Sequence, residues 1–134
     1  MKVFFDTNIW ISLFIGSETL TDLLEKVRFD HAILTSSFVL LEISIVLKKK
    51  FHYSPMEIAA AVHFIKINST LVEEQKYSIK TACRDKSDEH ILFSALSAKA
   101  DCILTGDQDL LSLRTFENIP ILPPYRFWAF EVSQ

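Results

Sequence analysis

The sequence is poor in glycine, with two among 134 residues. So few permissive backbone positions exclude a loop-rich architecture and favour helix. Cysteine is equally scarce. Cys83 and Cys102 stand far apart and form no C-x-x-C pair, which points to a reducing cytoplasm and to two thiols that serve as small core side chains. There is no excess of positive charge: 14 Lys and Arg face 17 Asp and Glu, for a net charge of −3. That balance argues against a basic protein that coats nucleic acid, although an acidic site recruiting metal makes net charge a poor guide to substrate. No internal repeat and no low-complexity segment is present. Ala32 to Leu47 is the longest stretch free of Lys, Arg and Asp, and Glu42 breaks it. It is too short and too polar to span a bilayer. Lys2 and the apolar residues after it imitate a signal peptide, but Asp6 and Asn8 interrupt the run and no A-x-A site follows.

What the chain does have is alternation. Lys2-Val3-Phe4-Phe5 reads as a short buried β-strand, stopped by Asp6. Asn8 is expected to cap an amphipathic segment from Ile9 to Ile15. Ser17 to Asp30 reads as a second helix, with Leu20, Leu23, Leu24 and Val27 at helical spacing. His31 to Thr35 is a second strand, ended by Ser36-Ser37, either of which suits a cap. The helix from Phe38 to Lys50 is apolar nearly all round, and its closing lysines suit the negative end of the helix dipole. Ser54-Pro55-Met56-Glu57 is a capping box with proline at the first helical position, opening a helix to about Ile67. Thr70-Leu71-Val72 reads as a third strand and Tyr77 to Cys83 as a short helix or turn. Asp88 starts a further helix, with Ile91, Leu92, Ala95 and Ala98 along one face. Cys102 to Thr105 is a buried strand closed by Gly106-Asp107, and a short helix carrying Leu110, Leu111 and Leu113 precedes a final strand, Ile119 to Leu122. Strands alternating with helices predict a three-layer α/β/α fold around a central, roughly five-stranded parallel sheet, with residues 1–134 as one domain.

Four acids need explaining. Asp6 ends a buried strand, where open α/β sheets put their ligands. Glu42 is the only charge between Phe38 and Leu47 and shares a face with Phe38, Ile45 and Val46. A carboxylate on such a face costs several kcal/mol unless paired or metal-bound, and a core lysine or arginine partner is the alternative to a metal role. Asp88 and Asp107 each precede an apolar-periodic segment, so each read alone is a helix cap or first-turn residue. Asp107 gains weight because it mirrors Asp6 at the end of another buried strand. Asp109 reads as a cap for the short helix or as an auxiliary ligand, with capping preferred. Clustered carboxylates repel one another unless a cation neutralises them. An oxygen-only donor set suits Mg²⁺ or Mn²⁺ rather than zinc. His31, His52, His63 and His90 are scattered and fit surface or structural positions.

Phe5-Asp6-Thr7-Asn8, Ser36 through Glu42, Cys83-Arg84-Asp85 through Asp88 with Ala95 beyond, and Leu104-Thr105-Gly106-Asp107-Gln108-Asp109-Leu110 together resemble the PIN domain, a nuclease fold common in bacterial toxin components. Ile121-Leu122-Pro123-Pro124 followed by Phe127 resembles the tail of a toxin-like PIN subfamily. The resemblance covers essentially the whole chain. It implies Asp6, Glu42, Asp88 and Asp107 as the catalytic and metal-holding tetrad, Asn8 and Thr105 as supporting polar groups, and Asp85 and Asp109 at the margin. One departure is the loop between Asp85 and Asp88, where Lys86 and Ser87 replace the usual residues while both acids survive.

By that resemblance the chain is a Mg²⁺- or Mn²⁺-dependent endoribonuclease, the toxin of a bacterial or archaeal type II toxin–antitoxin system, homodimeric and partnered by a small antitoxin encoded nearby. Arg84, Lys86 and the run Lys48, Lys49 and Lys50 are candidate phosphate contacts, with a solvated helix end as the preferred reading of the lysine run. Trp10, Phe127, Trp128 and Phe130 exceed evident core need and predict an exposed apolar patch for self-association. Two rivals stand beside this reading. One is a haloacid-dehalogenase-like phosphatase with Asp6 as nucleophile, although the second aspartate such enzymes carry two residues on is here Asn8. The other is an inactive PIN-like module that binds RNA or protein.

Overall fold

The structure, a computed structural model, describes residues 1–134. The chain runs through β1 (Lys2–Phe5), α1 (Thr7–Phe14), α2 (Glu18–Asp30), β2 (Ala32–Ser36), α3 (Ser37–Phe51), α4 (Pro55–Asn68) and β3 (Thr70–Val72). It continues through α5 (Asp88–Ser97), β4 (Cys102–Leu104), α6 (Gln108–Leu111), β5 (Thr115–Phe116), β6 (Ile119–Leu122) and α7 (Phe127–Val132). The sheet order is β3-β2-β1-β4-β6-β5. β1 lies parallel to β2, with Val3 opposite Ile33, and parallel to β4, with Val3 opposite Cys102. β2–β3 and β4–β6 are parallel too. The five expected parallel strands are therefore present, flanked by helices.

A sixth strand was not expected. β5 pairs antiparallel with β6, Phe116 opposite Ile119. The two residues between them, Glu117 and Asn118, have φ of 50° and 67°, the left-handed pair that a two-residue hairpin turn requires. A turn without glycine, joining a two-residue strand to a strand containing Pro120, leaves little sequence signal.

Local chemistry explains most element boundaries. Ser54 accepts from Glu57 N at 3.1 Å and Glu57 accepts from Ser54 N at 3.0 Å, the expected capping box. Ser17 and Ser36 cap α2 and α3 through their hydroxyls. α1 begins earlier than Asn8 predicts: Asp6 is its N-cap and Asn8 lies in its first turn. Residues 77–83 form neither a helix nor a strand. That segment is tied to α5 by side chains instead, Thr81 Oγ1 donating to Glu89 at 3.0 Å and Tyr77 packing on Phe93. α3 is not buried all round, since Val39, Ile43 and Leu47 are buried and Phe38 and Leu40 pack against the core while Leu41 and Ile45 face solvent.

The core is centred on β1 and β4, where Phe4, Phe5, Ile103 and Leu104 are fully buried. Trp10 and Phe127 are fully buried as well, so they supply packing and not the exposed patch expected of them. Phe127 and a hydrogen bond between His31 Nε2 and Glu131, 2.6 Å apart, hold α7 at the end of the sheet where the parallel strands begin. Cys102 is a core residue, its thiol pushed up to about 12 by burial, and Cys83 is half-buried; both are free thiols. No helix is long and apolar enough to cross a membrane.

Candidate functional site

Strand order places the site. From β1 the chain builds outward through β2 and β3 on one side, then returns to lay β4 and β6 on the other. The crevice between the carboxyl ends of β1 and β4 is thus a topological switch point, the position where open α/β sheets bind ligands. Asp6 follows β1 directly, and Asp107 lies three residues beyond the end of β4. A cleft of about 320 Å³ opens there. Asp6, Glu42, Asp85, Asp88, Asp107 and Lys50 are among the residues that line it.

Asp6 is fixed by its neighbours. Only 5% exposed, its carboxylate accepts three hydrogen bonds, from Thr7 N at 2.7 Å, Thr105 Oγ1 at 2.6 Å and Asn8 Nδ2 at 3.1 Å. A carboxylate offers about four acceptor sites, so roughly one is left for a ligand. Asn8 also reaches across the crevice and accepts from Gly106 N at 2.7 Å, while Thr105 Oγ1 accepts from Asp107 N at 3.0 Å. Asn8 and Thr105 therefore clamp the β1 and β4 ends together and hold both motif aspartates in register. Asp107 caps α6, accepting from Asp109 N at 2.9 Å, so the cap and the cleft position coexist in one residue.

The remaining acids are less committed. Asp88 is 8% exposed in the first turn of α5, and no hydrogen bond or cation offsets its charge. Burial first, and then the charges of Asp107, Asp85, Asp6 and Asp109, push its carboxyl up to about 7. Asp6 rises to about 6, again chiefly through burial, with the charges of Glu42 and Asp107 adding to it and the Thr105 and Thr7 hydrogen bonds opposing it. Glu42 is half-buried on α3 and pairs with no lysine, arginine or histidine. The core ion pair that offered an alternative account of Glu42 is thus not there.

The PIN domain family model matches residues 2–109. The chain belongs to the PIN domain family. PIN domains are generally nucleases. Among solved structures, the chain is similar to the VapBC2 complex of Rickettsia felis bound to a DNA fragment from its promoter. The TM-score is 0.70 and the identity 14%, over 92% of this chain and 98% of that one. It is also similar to PAE2754 of Pyrobaculum aerophilum, with a TM-score of 0.56 and 16% identity over 100% of both chains. At these identities the likeness concerns the fold. No curated protein matches the chain.

In this PIN fold the other candidate residues fall in distinct places. Asp85 lines the cleft, and its carboxylate accepts from Ser87 N at 2.9 Å, which holds it below the usual carboxylate range. Asp109 does not cap α6; it stands in the first turn, 3.8 Å from the exposed Arg84 guanidinium. Lys86 pairs with Glu89 at 3.0 Å, and Lys48 points to solvent away from the cleft. Of the lysine run named as candidate phosphate contacts, Lys50 lines it instead. The signal was available: Phe38, Glu42, Val46 and Lys50 stand four residues apart on α3, one row of a helix surface, and all four face the cleft.

The donor set fits a hard divalent cation. Every tetrad donor is an oxygen, two carboxylates are buried without enough cation to balance them, and the Thr7 hydroxyl in the same wall is buried without a partner. The carboxylates are nevertheless open relative to a preformed cage. The one set of three potential metal-ligating side chains with donor atoms within 4.8 Å is Asp30, His31 and Glu131, at the opposite end of the sheet. Lys26, 2.5 Å from Asp30, already neutralises part of that set.

Proposed function

We propose that residues 1–134 act as a single PIN-type unit, a metal-dependent endoribonuclease that serves as the toxin of a type II toxin–antitoxin pair in the cytoplasm. The observation that carries this reading is the convergence of Asp6, Glu42, Asp88 and Asp107 on one cleft at the switch point, none of them paired with a basic side chain. Asp6 and Asp107 would hold Mg²⁺ or Mn²⁺ directly, with Glu42 and Asp88 as a direct or water-mediated second arm. The chemistry supplied by a cation held there is a bound water of lowered pKa and neutralisation of charge on the scissile phosphate.

The chain's own groups supply the rest. Asn8 and Thr105 orient Asp6 and tie its loop to that of Asp107. Asp88, pushed up to about 7 by burial and its acidic neighbours, would give up its proton as a cation is taken up. Lys50 offers a positive contact for a phosphate that enters over the acids. RNA as substrate, a homodimer and a small antitoxin partner rest on the PIN resemblance, and the toxin–antitoxin role is supported by the VapBC2 likeness.

The phosphatase reading is disfavoured by Asp6 itself, whose two oxygens are already engaged by three donors, leaving a poor nucleophile. The test is cleavage of labelled single-stranded RNA by wild type and Asp6→Asn, with Mn²⁺ and with chelator. Cleavage that needs both Asp6 and metal is expected. A covalent aspartyl-phosphate would favour the phosphatase, and inertness under every condition would favour a binding module.

A further inference from the structure

A second cavity of about 620 Å³ adjoins the cleft at the carboxyl end of β2 and β3. Phe38 lines both cavities and so stands as the wall between them. The Phe38 ring lies parallel to that of His90, with centroids 4.3 Å apart and planes within 16°. His90 is held in that plane: its Nδ1 lies 2.9 Å from both carboxylate oxygens of Glu74, which in turn accepts from the buried Ser94 hydroxyl at 3.3 Å. The His90 side chain is still 47% exposed. The result is a rigid aromatic platform with an open side, bordering the proposed cutting site.

The lining of this cavity contains no lysine or arginine, and Glu73 enters it without an ion pair. Such a surface repels phosphate, so it suits the other end of a nucleotide. Bases of single-stranded nucleic acid stack on aromatic side chains, and their Watson–Crick edges are then read by hydrogen bonds. Carboxylate acceptors favour edges that donate. Guanine, adenine and cytosine each present an exocyclic amino group, whereas uracil presents only N3–H between two carbonyl oxygens.

We infer that the cavity bounded by Phe38, His90, Glu73 and Glu74 is a nucleobase subsite, which stacks one unpaired base beside the scissile phosphate and disfavours uracil. The inference rests on the nuclease reading for its substrate, and its test separates the two. Fluorescence anisotropy would measure binding of short oligo(A), oligo(C), oligo(G) and oligo(U) RNA to the full chain in Ca²⁺. Mn²⁺-supported cleavage of the same strands would be followed in parallel. Wild type should bind oligo(U) most weakly. Phe38→Leu, which keeps apolar bulk, should weaken binding of the other three about tenfold and raise KM with little change in kcat. Phe38→Tyr should behave as wild type, and thermal melting should report all three proteins folded. Base-independent binding, or unchanged affinity and KM in folded Phe38→Leu, would overturn the subsite and leave the stack as packing between α3 and α5. Base-selective binding lost in Phe38→Leu without cleavage of any strand would uphold the subsite and overturn the nuclease reading.

Discussion

Asp88 offers the sharpest separation between a helix-start residue and a metal-site acid. Its carboxyl, ordinarily at 3.8, stands at about 7 in the folded protein. Between those values the folded state binds more protons than the unfolded one, so stability falls as pH rises from about 4 to about 7. The full difference corresponds to about 4 kcal/mol. The carboxylate borders a solvent-filled cleft, so screening leaves about 2 kcal/mol, from which the helix dipole returns about 0.5 kcal/mol for an acid in the first turn. Asp88→Asn removes the ionisation and loses no hydrogen bond made by the carboxylate. Without metal, at pH 8, the variant should therefore be more stable than wild type by about 1.5 kcal/mol, a rise in Tm of roughly 5 °C. The gap should narrow at pH 5. Saturating Mn²⁺ should reverse the order, because a ligand that binds the native state stabilises whichever protein binds it better. Thermal melts of both proteins at the two pH values, with chelator and with Mn²⁺, make the comparison. A variant that melts below wild type at pH 8 in chelator would refute the reasoning and mark Asp88 as a helix-start residue.

Chelation should abolish RNA cleavage and added Mg²⁺ or Mn²⁺ should restore it; full activity in EDTA would remove the metal from the mechanism. Asp107→Asn should lower cleavage at least about a hundredfold with melting nearly unchanged, since asparagine caps a helix as well as aspartate; a large fall in Tm would mark the cap as its main role. Glu42→Gln strands no basic partner, so stability should move by less than about 0.5 kcal/mol while calorimetric Mn²⁺ affinity drops. Unaltered Mn²⁺ binding would take Glu42 out of the site. Leu41 and Ile45, 61% and 44% exposed one turn apart on α3, should lie in a homodimer interface: light scattering should report a dimer for wild type and a monomer for Leu41→Lys. A wild-type monomer at all concentrations would remove the dimer.

Much of this was legible in the sequence because parallel strands bring their carboxyl ends to one edge. Once Phe5-Asp6 and Leu104-Thr105-Gly106-Asp107 read as strand ends, their proximity followed from topology. What was not legible depended on contacts across the crevice. Asn8 looks like a cap, but the cap is Asp6, and Asn8 bonds instead to Gly106 and to Asp6. Trp10 and Phe127 look like surplus aromatics because no periodicity reveals that they enter the core from α1 and α7. β5 escaped because its turn uses Glu117 and Asn118 at positive φ and no glycine. The run Lys48 to Lys50 offered three phosphate contacts without choosing among them, although four-residue spacing from Glu42 and Val46 sets Lys50 apart as the one that faces the cleft.

The two raised carboxyls also say how the site divides its labour. Asp6 and Asp88 are both shifted by burial, yet Asp6 keeps hydrogen bonds from Thr105 and Thr7 that oppose the shift and Asp88 has none. Charge-assisted donors fix a carboxylate in place, so Asp6 is the anchor, and the Asn8 clamp extends that rigidity to Asp107. Asp88 and Glu42 have no hydrogen-bond donor to hold them in the cleft. This difference orders the variants. Loss of Asp6 removes the anchor together with the acceptor for Thr105 and Asn8, so it should disturb both chemistry and the joint between β1 and β4. Loss of Glu42 should disturb chemistry alone, and loss of Asp88 should disturb chemistry while raising the stability of the metal-free protein.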